Sequence, residues 1–147
     1  MKIEMIKKML NYLPTDCYMT WVFRKEPSVH GAGLTDAISD FANDRNMELV
    51  QVNLSQCDDF FLHELNELIA FRKGKPFICM FDFTNGCGAE LKTHLMQLLI
   101  HRHHNGFEIP LNVKIVIYDN KEEQDEYDRS KFDMAMLDKC QFYKVEN

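Results

Sequence analysis

Two hydrophobic periods alternate along this chain. Ile3, Ile6, Met9 and Leu10 recur at helical spacing within residues 2–12, which predicts an amphipathic helix ended by Pro14. Residues 18–23 (YMTWVF) are rich in aromatic and β-branched types and predict a strand. A turn-rich stretch with Pro27, Gly31 and Gly33 follows. Leu34, Ala37, Ile38, Phe41 and Ala42 then form a helical stripe over residues 34–45. Residues 48–54 (ELVQVNL) alternate as a strand does. Residues 58–71 predict a helix with Leu62, Leu65, Leu68 and Ile69 on its apolar face and Asp58 and Asp59 at its positive end. Residues 77–83 (FICMFDF) are almost wholly apolar, as in a strand buried on both faces. A further helix is expected over 89–104, stopped by Asn105-Gly106, and further strands over 112–118 and 141–145. The connection at 121–131 is polar and mostly acidic.

Strands that alternate with helices imply an α/β fold of three layers, with five mostly parallel strands covered on both faces. The spacing shows no internal repeat, so residues 1–147 read as one domain, with 1–16 as an N-terminal helix and linker. A chain of 147 residues, 46% apolar, can bury a substantial core without staples.

Net charge and cysteine usage narrow the function classes. The formal charge of -6, with its basic residues dispersed, argues against nucleic acid as a partner. Five cysteines, at 17, 57, 79, 87 and 140, make an odd set without Cys-x-x-Cys, which fits a reducing compartment; Cys79 is expected in the core. The first residues mix charge into their apolar positions, unlike a secretory leader, and no stretch approaches a membrane span. The expected location is the cytoplasm, with no membrane partner.

The orienting motif lies between the first strand and the second helix. A P-loop is a strand, then G-x-x-x-x-G-K-[ST], then a helix. Its backbone amides wrap phosphates, its lysine reaches the outer phosphates and its hydroxyl holds magnesium. Here the segment is Ser28-Val29-His30-Gly31-Ala32-Gly33-Leu34-Thr35. Gly33 and Thr35 match, and Gly31 fits the shorter G-x-G-K form. Ser28 replaces the first glycine and Leu34 replaces the lysine. Taken alone, the segment is better explained as a plain β–α turn. Strand 77–83 places Asp82 where a magnesium-shell aspartate would stand, but Phe83 follows instead of a water-polarising glutamate. Strand 112–118 runs into Asp119-Asn120, where a γ-phosphate sensor would stand.

The order of these parts resembles the AAA+ ATPases, and within them the MoxR and midasin-like branch. The run GKPFICMFDFTNGCGAELKTHLMQLLIHRHHNGFEIPLNVKIVIYDN is similar to that family's Walker B strand, helix, L-P-x-N-V turn and sensor strand. The stretch FDMAMLDKCQFYKV is similar to the segment that carries the arginine finger, with Lys139-Cys140 where Arg-Phe would stand. The likeness spans about residues 17–146, and the family's helical lid has no counterpart in it.

Each departure implied by the resemblance removes a part of the chemistry. Leu34 cannot neutralise phosphate charge, Phe83 cannot orient water, and Lys139 lacks the planar fork of arginine. Phosphoryl transfer depends on positioning and charge stabilisation, so the loss of all three implies no catalytic residues and no enzyme. The expectation is a non-catalytic AAA+-like domain acting through protein association. It would dock on and regulate or inhibit a true AAA+ ATPase, or self-associate as a scaffold. The resemblance implies a vestigial nucleotide site of Ser28, Gly31, Gly33, Leu34, Thr35, Asp82 and Asn120. It also implies an interface at His101, Arg102, His104, Phe107 and Lys139. No cofactor is expected, and ATP with magnesium would bind weakly. Two alternatives stand beside this: a nucleotide-binding protein with little hydrolysis, and an atypical NTPase in which Lys25 or His30 replaces the missing lysine.

Other chemistry is weaker. His94, His101 and His104 would share a helix face, but no Cys or carboxylate stands at a standard ligand spacing, so a cationic helix end is favoured over a metal site. Cys87 before a helix lacks a recognisable catalytic partner. Asp58, Asp59, Glu64 and Glu67 read as the solvent face of a helix.

Overall fold

Five parallel strands form one sheet in the order β2-β3-β6-β1-β7. They are β1 (Thr20–Lys25), β2 (Glu48–Asn53), β3 (Phe77–Asp82), β6 (Val113–Asn120) and β7 (Cys140–Val145). Among the described residues the α-helices are α1 (Ile3–Leu10), α2 (Leu34–Asp44), α3 (Phe61–Phe71) and α4 (Ala89–His101). A two-stranded ribbon, β4 (His103–His104) with β5 (Phe107–Glu108), lies between α4 and β6. The computed structural model describes residues 2–12, 20–25, 33–56, 61–84, 89–120 and 140–145.

Alternation along the strands sorts the core into two layers, because successive side chains point to opposite faces. Val22, Cys79, Phe81, Ile115 and Ile117 pack with Leu65, Leu95 and Leu99 of α3 and α4. Trp21, Phe23, Met80, Val116 and Tyr118 pack with Ile6, Leu10, Leu34, Ile38 and Phe41 of α1 and α2. The interior strands β1, β3 and β6 are buried almost end to end, which their continuous apolar runs require. Each fully buried Leu, Ile or Phe contributes about 1.5–3 kcal/mol, so these two layers dominate stability. Edge strand β2 is only half-buried, with Glu48 and Gln51 exposed. Two polar groups in the sheet, Thr20 and Lys114, are held by the layers. Thr20 Oγ1 donates to Leu99 O at 2.7 Å, and the Lys114 ammonium lies 3.9 Å from the Trp21 ring centroid, a cation–π contact.

The AAA+ resemblance implies the spatial order last, first, fourth, third, second for the five expected strands, which is the observed one, and Cys79 is in the core as expected. Three details differ. β6 continues through Asp119 and Asn120, because both still pair with β1. Leu62, expected on the apolar face of α3, is 46% exposed, and Phe61 is buried in its place. The helix expected to reach residue 104 ends at His101. Arg102 takes φ 66°, and the chain folds back through Asn105 (φ 50°) and Gly106 (φ 83°). Positive φ at both central residues is what a tight two-residue hairpin turn demands, and Asn-Gly meets it with little strain. The Arg102 guanidinium holds the ribbon by donating from Nη2 to Pro110 O at 2.7 Å and to Val113 O at 2.8 Å.

Candidate functional site at the carboxyl edge of the sheet

Parallel strands end together, so the polar residues that close β1, β3 and β6 gather at one edge. Their register is direct: Lys25 pairs with Asn120, and Asp82 with Tyr118. In open α/β sheets, ligands lie at this edge. Side-chain alternation decides which residues can meet. Phe81 and Ile117 face the α3/α4 layer, so Asp82 and Asn120 face the α1/α2 layer, where α2 begins.

Gly33 caps α2 with φ 95°, a left-handed conformation that glycine adopts without strain. The first α2 amides have no acceptors within the helix and could bind an anion. Asp36, in the same first turn and exposed, places a carboxylate against that use. A methyl group at Gly33 would meet Ile3 Cγ2 at 3.4 Å, so α1 lies close against the start of α2.

Asp82 is held by its own turn. Thr84 donates to Asp82 Oδ1 from its backbone N–H at 2.8 Å and from its hydroxyl at 2.5 Å. Asn120 Nδ2 donates to Thr84 O at 2.7 Å and ties β6 to the same turn. Asn120 Oδ1 is buried without a hydrogen-bond partner. A buried acceptor of this kind calls for a donor from water, ion or ligand. Beside Asp82, the Tyr118 hydroxyl is pushed above its usual pKa, by burial first and then by the Asp82 charge.

Leu34 and Phe83 have no part in this polar edge. Leu34 is 0% exposed and belongs to the α1/α2 core. Phe83 is 3% exposed and belongs to the α3/α4 core. Its N–H donates to Tyr118 O at 2.8 Å, extending the β3–β6 pairing. Thr35 lies half-buried in the first turn of α2. Ser28, His30, Gly31 and Lys139 lie outside the described residues, as do Asp58, Asp59 and Cys87.

The remaining sequence candidates lie between α4 and β6. His101 ends α4, Arg102 is spent on backbone carbonyls, and His104 and Phe107 form a cross-strand pair. The His94 and His104 rings lie 5.7 Å apart. Among the described residues, no three His, Cys, Asp or Glu side chains gather as a metal site would need. Glu64 and Glu67 are exposed on α3, with Glu67 against His63 at 3.1 Å. Sequence reasoning missed Thr84, which organises Asp82 and Asn120. The Asp-x-Thr spacing that allows such a turn is its signal.

No protein-family model matches the chain, and no curated protein matches it in sequence. Solved structures do. The DnaC helicase loader shares 13% identity over 97% of this chain and 87% of its own, with a TM-score of 0.58. NtrX from Brucella abortus, solved with ADP, shares 13% identity over 97% of this chain and 34% of its own, with a TM-score of 0.55. Hsp104, reconstructed in a closed state with ATPγS and casein, shares 14% identity over 97% of this chain and 29% of its own, with a TM-score of 0.53. The chain thus spans most of the loader but only about a third of the other two. Within the described residues no helix is long and apolar enough to cross a membrane. Five parallel strands in this order between two helical layers give the chain the AAA+-type P-loop fold.

Proposed function

We propose that this chain is a non-catalytic AAA+-like domain that acts by associating with protein. It docks on a true AAA+ ATPase and regulates or inhibits it, or assembles with its own copies as a scaffold. The observation that carries this reading is the burial of Leu34. The position that would hold the phosphate-reaching lysine has been given to the core. Phe83 repeats the pattern where the water-polarising glutamate would stand. Both substitutions stabilise the fold through burial while removing charge from the site, so the frame is retained for its shape. The name of the helicase loader describes a protein that acts on another protein, which is the class of role proposed here. Capture from its native cell, paired with sedimentation of the pure protein, tests the proposal. Recovery of an AAA+ ATPase, or a defined oligomer, supports it. A monomer that captures no ATPase contradicts it.

Asn120 Oδ1 favours a second reading, nucleotide binding without turnover. A buried acceptor without a partner and a glycine-capped helix N-terminus are the parts that could still meet a ligand. Calorimetry with ATP and ADP separates the two readings. A dissociation constant at or below about 1 µM, roughly −8 kcal/mol, moves the assignment to the second.

A further inference from the structure

In the opposite layer from α2, a cavity of about 220 Å³ opens between α3, α4 and the β4–β5 ribbon. Its walls are mainly apolar, from Phe61, Leu91, Leu95, Leu98 and Phe107, with Leu62 at 46% exposure. Its polar lining comes from His94, His104 and Asn105, and among the described residues no carboxylate lines it. His104 Nε2 is buried and has no hydrogen-bond partner. Burying a polar atom without a partner costs free energy, and native proteins rarely leave one so. Apolar walls give a bridging water few further partners, so water answers this atom poorly.

We propose that this cavity binds a small amphipathic carboxylate, with its apolar body against Leu95, Leu98 and Phe107 and its head group on His104. Three observations set that class. The volume exceeds the ~150 Å³ that holds a benzene ring, which leaves room for about nine non-hydrogen atoms. The His94 ring, 5.7 Å from that of His104, puts a second imidazole within reach of the other carboxylate oxygen. Among the described lining residues the polar groups are two imidazoles and an amide, which can donate to a carboxylate, and none is a carboxylate that would hold a cationic head or repel an anionic one. The site is independent of the sheet edge and of any nucleotide.

The test uses octanoate and benzoate as probes, with octanol and octylamine as controls of the octanoate head group, followed by calorimetry and by NMR shifts of the full chain. The expected result is carboxylate binding with shifts at Leu95, Leu98 and Phe107. His104→Phe should weaken the carboxylates by roughly tenfold or more while leaving octanol unchanged, since one charged hydrogen bond is lost. Leu62→Trp, at a half-exposed position, should block all probes without disturbing the core. Equal affinity for octanol and octanoate, or an unaffected His104→Phe variant, would overturn the head-group assignment. No binding of either carboxylate at millimolar concentration to the folded wild type would overturn the site.

Discussion

Arg24 Nη2 donates to Asp119 Oδ2 at 3.2 Å, and the two residues are direct partners in the register of β1 and β6. Both side chains are buried, at 6% and 1% exposure. The pair lies on the α3/α4 side of the sheet, one residue before Lys25 and Asn120 reach the polar edge on the other side. Removing one partner of a buried pair strands the other charge. Arg24→Met or Asp119→Leu alone should cost about 3–5 kcal/mol, and the double change much less than the sum. Urea unfolding of the four proteins measures this. Additive losses would mean that the two side chains do not depend on each other.

Restoring the lysine of the motif should not restore a site. Leu34→Lys places an ammonium in the core between α1, α2 and the sheet. The loss of the leucine contacts alone should cost about 2–4 kcal/mol, with charge burial added to it. Thermal unfolding reads the loss, and a turnover assay on the same variant should stay at background. A variant as stable as the wild type would show that position 34 opens toward the edge.

Cys79 gives a pH signature. Burial pushes its thiol up from 9.0 to about 12, slightly offset by the Arg72 charge. The folded state therefore holds this proton more tightly than the unfolded chain does. The stability it contributes is complete below pH 9 and is lost as pH rises from 9 to 12. The full loss is about 4 kcal/mol by linkage, and the raised Tyr118 acts in the same direction. Cys79→Val should flatten the alkaline slope of urea midpoints, and the native thiol should resist maleimide at pH 8. Equal slopes in the two proteins would contradict the burial account.

Arg102 serves the ribbon, which changes how an interface there can be tested. Its two carbonyl acceptors belong to the turn that starts β6, so Arg102→Ala should cost about 1.5–3 kcal/mol and loosen residues 103–110. Hydrogen exchange of those amides measures this. His103, exposed on β4, is the better position for probing association. Unchanged protection after Arg102→Ala would free Arg102 for a surface role.

The sheet was legible because its signals are continuous. FICMF and VKIVIY announce strands buried on both faces, and the helical stripes between them force parallel crossovers. The polar edge was legible as positions, since Asp82 and Asn120 end those runs. What Leu34 and Phe83 do was legible only as the absence of Lys and Glu, because the core layers that enclose them come together only when the helices pack on the sheet. The β4–β5 ribbon escaped for a local reason. Asn-Gly both stops helices and closes hairpins, and the flanking His-Arg-His-His run has no strand alternation to decide between them. The cavity beside it is a product of tertiary packing and has no sequence period.

Turnover of ATP by the purified chain with magnesium, compared with Thr35→Ala, tests the central claim most directly. Thr35 is half-buried at the start of α2, where a motif hydroxyl would hold the metal. The account predicts phosphate release at background for both proteins, because Leu34 and Phe83, which the proposal aligns with the lysine and the glutamate, are built into the core. Turnover in the wild type that Thr35→Ala abolishes would show a working P-loop and contradict the account.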